Sequence, residues 1–154
     1  MHRRVVTEDL ARMPYLDQVL KESLRHRPSV PYMARQVTEP CVIDGHTLPI
    51  GLEVSIMNYN IHHHPDYWPE AERFDPERFS KEAERGHPFR YVPFSAGSRN
   101  CIGQKFAMQE MKVIVCRMVK SFRLVAHDPQ EEVLMSGEII LRPTHALNMT
   151  VTPR

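Results

Sequence analysis

At 154 residues the chain is the size of one domain or part of one, and 42% hydrophobic with 25% charged residues is ordinary for a globular protein. Twenty Lys and Arg against 19 Asp and Glu leave a net charge of +1, without the basic excess of a general nucleic-acid binder. The longest stretch free of Asp, Glu, Lys and Arg is 54–65, shorter than the roughly 18–20 apolar residues of a membrane span. The first residues run into Glu8 and Asp9 with no apolar segment, so they do not read as a signal peptide. Three cysteines, Cys41, Cys101 and Cys116, are odd in number and far apart, which suits a reducing compartment better than a disulfide framework. None has CxxC spacing, so no structural zinc site is expected.

Thirteen prolines against six glycines divide the chain into three zones. In the first, Thr7 with Glu8 and Asp9 has the pattern of a helix start, an acceptor followed by acids near the positive dipole end. Pro14 fits the first turn of a second helix, predicted over 14–26, with Leu16, Val19, Leu20 and Leu24 at helical spacing. Pro28 and Pro31 end it.

The second zone, 28–93, holds nine of the prolines. Cys41-Val42-Ile43, Asp44-Gly45 and His46-Thr47-Leu48 read as a tight hairpin, because Asp-Gly suits a two-residue turn. Residues 52–59 read as a further strand or the entry to a helix. From 62 to 93 recurring prolines exclude both a long helix and a sheet interior, leaving an ordered, meandering coil. Three adjacent histidines, His62, His63 and His64, do not converge easily on one ion.

The third zone, 94–128, contains no proline. After Gly103, Phe106, Ala107, Met111, Ile114, Val115, Met118 and Phe122 fall at helical spacing and predict a core-facing stripe, with Cys116 in it. Ile139-Ile140-Leu141 and 147–151 are strand-like.

The chemistry concentrates at Phe94-Ser95-Ala96-Gly97-Ser98-Arg99-Asn100-Cys101-Ile102-Gly103. A cysteine at the mouth of a helix meets free N–H groups and a partial positive charge, and Arg99 adds a full one, so the position suits a permanent thiolate ligand. Gly97 and Gly103 let the backbone approach something flat. A free cysteine at a helix start is most often a small buried hydrophobe. The five fixed positions of F-x-x-G-x-R-x-C-x-G, however, arise by chance on the order of 10⁻⁵ per chain of this length.

On this loop the chain resembles the cytochrome P-450 superfamily, whose haem-binding signature it matches. Two further motifs follow the family's order: Glu22-Ser23-Leu24-Arg25 resembles its E-x-x-R, and Asp75-Pro76-Glu77-Arg78-Phe79 its P-E-R-F. Ser98 departs from the proline many members carry there, which implies a slightly less rigid loop. The resemblance implies a mainly α fold with small β regions, the C-terminal third of the P-450 fold: K helix, β region, meander, cysteine loop, L helix and terminal hairpin. Residues 1–154 are accordingly read as a partial domain with no complete separate one.

The resemblance also implies haem b (iron protoporphyrin IX), with Cys101 as the axial iron ligand and Arg35 and Arg99 on the propionates. Phe94 packs on the thiolate side, and Gly97 and Gly103 belong to the same cofactor loop. Glu22, Arg25 and Arg78 form a buried network that locks the meander to the K helix. His62 stands where members carry a polar residue. Substrate-facing residues are expected at 29–33 and at Ile139-Ile140. Lys105 and Lys112, seven apart, share a helix face that the resemblance offers to an acidic redox partner.

Residues 91–108 look most like family four, which includes fatty-acid omega-hydroxylases. The implied function is monooxygenation of an apolar substrate, a fatty acid or other lipid, with electrons from NADPH through NADPH-cytochrome P-450 reductase. The full-length family sits on the cytoplasmic face of the endoplasmic reticulum through an N-terminal anchor. That anchor and the distal helix with its acid–alcohol pair are expected to lie outside this chain. Two other readings stay open at this point: a truncated, inactive haem- or partner-binding product, and a structural domain whose Cys101 binds no haem.

Overall fold

In the computed structural model, which describes residues 6–83, 86–128 and 133–154, Pro14 opens the helix on which the rest is assembled. A single turn, α1 (Thr7–Leu10), precedes it. Its N-cap is Val6 rather than Thr7, and Asp9 Oδ2 accepts the Val6 N–H at 3.0 Å. The helix starts one residue earlier than the sequence suggests, with the Asp9 carboxylate receiving a free main-chain donor at its start.

Helix α2 (Pro14–His26) buries Leu20 and Leu24 as its periodicity requires. It also buries Glu22, Arg25 and His26, so its C-terminal half is enclosed on its polar side as well. Among the described residues, the buried apolar core is Leu10, Leu20, Leu24 and Trp68.

Strand β1 (Met33–Gln36) pairs antiparallel with β4 (Glu53–Ile56). Between them β2 (Cys41–Ile43) and β3 (His46–Leu48) form the predicted hairpin. Asp44 and Gly45 both take positive φ, 49° and 78°, as a two-residue turn of this twist demands. Residues 52–59 prove to be both alternatives in succession: β4 ends at Ile56 and α3 (Asn58–His63) follows.

The coil that follows is ordered by single turns of 3-10 helix at Pro76–Phe79 and Pro88–Arg90. It wraps around Trp68, which is 2% exposed. The Trp68 indole N–H donates to the Arg90 carbonyl at 3.2 Å, and the guanidiniums of Arg90 and Arg25 lie 4.5 and 5.4 Å from its ring. Coil without a ladder is held here by aromatic burial and cation–π contact.

Helix α4 (Gln104–Ser121) runs directly into β5 (Phe122–Ala126), a strand that the uninterrupted helical pattern conceals. β5 pairs with β8 (Met149–Pro153), while β6 (Met135–Gly137) pairs with β7 (Leu141–Pro143). The tail strands are therefore displaced from those the sequence suggests. Ile139 and Ile140 occupy the bend between β6 and β7, and they are 78% and 43% exposed. Apolar β-branched residues read as strand, but here the hairpin places them at its tip.

Candidate functional site

The loop before α4 is closed on itself by main-chain hydrogen bonds. Ser95 N–H donates to Val92 O at 3.1 Å, Cys101 N–H to Phe94 O at 2.9 Å, and Asn100 N–H to Gly97 O at 3.2 Å. Gly97–Arg99 forms a 3-10 turn, and Gly97 has φ +77°, which explains the glycine by conformation, since a Cβ there meets only open space. Gly103 is the N-cap of α4, and a Cβ on it would lie 3.8 Å from Cys101 Sγ. Glycine thus leaves one flank of the sulfur uncovered. Cys101 is exposed, beside a fully exposed Ile102.

Two guanidiniums attend this loop. Arg35, on β1, donates from Nη2 to Ser95 Oγ at 3.3 Å and from Nη1 to Ala34 O at 2.8 Å, which ties the strand to the loop sixty residues away. Arg99 is exposed and makes no hydrogen bond or ion pair among the described residues. Phe94 is half-buried and supplies the carbonyl that accepts from Cys101. An accessible soft sulfur, glycine on both sides and guanidiniums suited to carboxylates make a donor set that fits a thiolate-held haem.

Behind the loop, Glu22 and Arg25 are brought together with Arg78. Arg25 pairs with Glu22 in a fork, Nε to Oε2 at 2.7 Å and Nη2 to Oε1 at 2.9 Å, both side chains being wholly buried. Arg25 also donates to His62 O at 2.8 Å, Ala71 O at 2.8 Å and Arg73 O at 3.3 Å. Glu22 Oε1 accepts the Asp75 N–H at 2.8 Å. Arg78 is the looser member: its Nε stands 3.7 Å from Glu22 Oε1, while Nη2 donates to Glu70 O at 2.9 Å.

His62 carries more of this junction than its sequence position announces. It is fully buried, and its Nε2 accepts the Val92 N–H at 2.9 Å, two residues before the loop begins. Its carbonyl accepts from Arg25, so one residue links α2, α3 and the loop. Burial, with His63 and Arg25 nearby, pushes its pKa down to about 4, so the ring is neutral. Burial lowers His26 and His63 in the same direction. Tyr91, its phenol pKa raised by burial, lies tilted against the His62 ring and donates to Lys21 O at 3.0 Å. The histidine triplet and adjoining aromatics were the available signal, but sequence spacing does not reveal which member turns inward.

The structure corrects two expectations about α4. None of its residues is buried, and Phe106, Ile114 and Met118 of the expected core stripe are 69%, 54% and 36% exposed. Periodicity marks a face as apolar without showing that anything covers it. Cys116 is half-buried, and Cys41 is exposed. Lys105 is exposed, but Lys112 is not its solvated companion: Lys112 Nζ lies 2.6 Å from Asp17 Oδ1 and its side chain is 15% exposed. Burial raises the Asp17 pKa, yet its bonds to Lys112 and Lys21 outweigh this and hold it below the usual value.

The segment after α2 and the C-terminal hairpin do meet, through a Leu141 N–H donated to Ser29 O at 2.9 Å. Val30 and Tyr32 are exposed beside this junction.

Comparison with known proteins places these features in a common frame. The cytochrome P450 family model matches residues 1–151. The chain is 46% identical over 147 residues to cytochrome P450 4V2 of Rattus norvegicus, covering 95% of this chain and 28% of that protein. It is 45% identical over 148 residues to cytochrome P450 4c3 of Drosophila melanogaster, covering 96% and 28%. To cytochrome P450 4A24 of Sus scrofa it is 40% identical over 146 residues, covering 94% and 29%. Among solved structures, retinoic acid-bound cyanobacterial CYP120A1 superposes with a TM-score of 0.91 at 35% identity, covering all of this chain and 36% of that one. The chain thus spans 28–29% of the length of these curated relatives.

Proposed function

The chain belongs to the cytochrome P450 family, and from that membership we propose that it supplies the thiolate-bearing wall of a haem monooxygenase. The whole protein inserts one atom of O₂ into an apolar substrate, a fatty acid or related lipid, and reduces the other to water. A haem held through the Cys101 sulfur would supply the iron chemistry for O₂, with the thiolate as its electron-donating ligand. The observation that carries this reading is the exposed Cys101 at the start of α4, with Arg35 tied to its loop.

Each residue has a task the physics suits. Cys101 holds the iron. Arg35 and Arg99 pair with the propionates, for which a guanidinium fork matches carboxylate geometry. Phe94 packs on the thiolate side of the haem, and its carbonyl fixes the Cys101 main chain. Gly97 allows the turn, and Gly103 keeps side-chain bulk off the sulfur. Glu22, Arg25 and Arg78 hold the meander behind the loop. Val30, Tyr32 and Ile140 contribute to the substrate side.

Electrons come from NADPH through a reductase that docks near exposed Lys105, with Lys112 excluded from that face by its pair with Asp17. The family setting is the endoplasmic reticulum membrane; among the described residues, no helix is long and apolar enough to cross a membrane.

The test is a reduced carbon-monoxide difference spectrum of haem-reconstituted protein. A strongly red-shifted Soret band that Cys101→Ser abolishes is expected. Haem uptake with an unchanged band in Cys101→Ser refutes the ligand assignment. Thiolate-type haem without lipid oxidation, in the full-length protein supplied with reductase and NADPH, refutes the monooxygenase.

A further inference from the structure

Away from the cysteine loop, His26 at the end of α2, His63 at the end of α3 and Glu72 in the meander each offer one ligand atom. These three atoms lie within 4.8 Å of one another. Only one of the three adjacent histidines takes part, and its companions come from separate segments that the Arg25 network already holds together.

The His63 ring is set for coordination. Its Nδ1 lies 2.8 Å from Tyr59 O, which places the proton there. Its Nε2 is buried with no hydrogen-bond partner among the described residues. The ring is stacked 4.1 Å from Tyr59. An outer N–H on a carbonyl with an inward lone pair is the arrangement of a metal-ligating histidine. His26 Nε2 is 2.8 Å from the Glu72 carbonyl, which ties that ring to the residue bearing the third ligand.

The span must contract toward the ~3.3 Å ligand spacing of four-coordinate zinc, and the exposed Glu72 carboxylate has the freedom to move. A recess of about 370 Å³ lined by Ser23, His26, Arg27 and Phe74 opens beside His26. Of the two arginines beside His26, Arg25 is paired with Glu22, and Arg27 donates to the His26 carbonyl at 3.0 Å.

We propose that His26, His63 and Glu72 form a binding site for a divalent transition ion, Zn²⁺ being the best match to two imidazoles and a carboxylate with one position left for water. The ion pins α3 and the meander to the end of α2. Mg²⁺ and Ca²⁺, which take oxygen ligands in larger shells, are not accommodated.

Calorimetric titration of the purified chain with ZnCl₂, alongside CoCl₂ followed by visible absorbance, tests the site. One ion per chain is expected, with binding weakened at least about tenfold by Glu72→Ala and by His63→Ala. Cys101→Ser leaves the affinity unchanged, and the cobalt complex shows no thiolate charge-transfer band. Glu72 is exposed, so its variant carries the test should His63→Ala fail to fold. Absence of uptake, loss of uptake in Cys101→Ser, or unchanged affinity in Glu72→Ala overturns the proposal.

Discussion

At the scale of single residues, His62 shows how one buried imidazole sets a pH limit on the structure. Its folded pKa, about 4, lies below the ordinary 6.5, so between these values the unfolded chain binds the extra proton. Stability is therefore full above about pH 6.5 and falls as pH drops toward 4, by about 3 kcal/mol from this residue alone. His26 and His63 shift the same way and add to the slope. Urea unfolding at pH 7.5 and pH 5 checks this, and His62→Gln flattens the difference; equal stability at both pH values contradicts it. On the proposed pairing of exposed Arg99 with a haem propionate, replacement by Ala is expected to remove on the order of 1 kcal/mol and to accelerate haem transfer to an acceptor globin about fivefold; an unchanged transfer rate contradicts that pairing. The loop holding Cys101 and Arg99 stands out in the sequence because a motif fixes residue type at fixed spacing. His62 does not, because its importance lies in a ring nitrogen and a carbonyl facing segments thirty or more residues away.

At the scale of elements, α2 is held by a buried ion pair as well as by its apolar stripe. Glu22 and Arg25 have no solvent exposure, so removing either leaves the other charged, buried and unpaired. Glu22→Ala is expected to cost about 3–5 kcal/mol in urea unfolding. A loss below about 1 kcal/mol indicates that water reaches the site. Arg78→Ala costs less, because its pair distance is 3.7 Å and its carbonyl bond to Glu70 is exposed. The helices and the Asp-Gly hairpin followed from periodicity and turn chemistry. Strand β5 did not, because Phe122 continues the helical stripe and only pairing with β8 turns the chain into a strand. The Lys112–Asp17 contact was hidden for a related reason, since seven-residue spacing describes one helix and not its neighbour.

At the scale of the molecule, the accessible surface is 11603 Å², whereas a compact protein of 18.0 kDa exposes about 8,000 Å². Part of the apolar excess lies on α4 and the C-terminal segment, where Phe106, Ile114, Ile139 and Leu147 are each at least half exposed. Patches of this kind bind partners or self-associate. The purified chain is expected to raise the fluorescence of a hydrophobic dye strongly and to elute above monomer mass; a dye-silent monomer contradicts the surface described here. The Arg25 fork has a consequence for synthesis as well. Its last acceptor, Arg73 O, lies 48 residues downstream. At about 5–20 residues per second, the arginine waits roughly 2–10 s for that carbonyl to be made. Over that interval the nascent helix has its charged pair but no meander to receive it, so a chaperone acting on this region has seconds, not milliseconds, in which to bind.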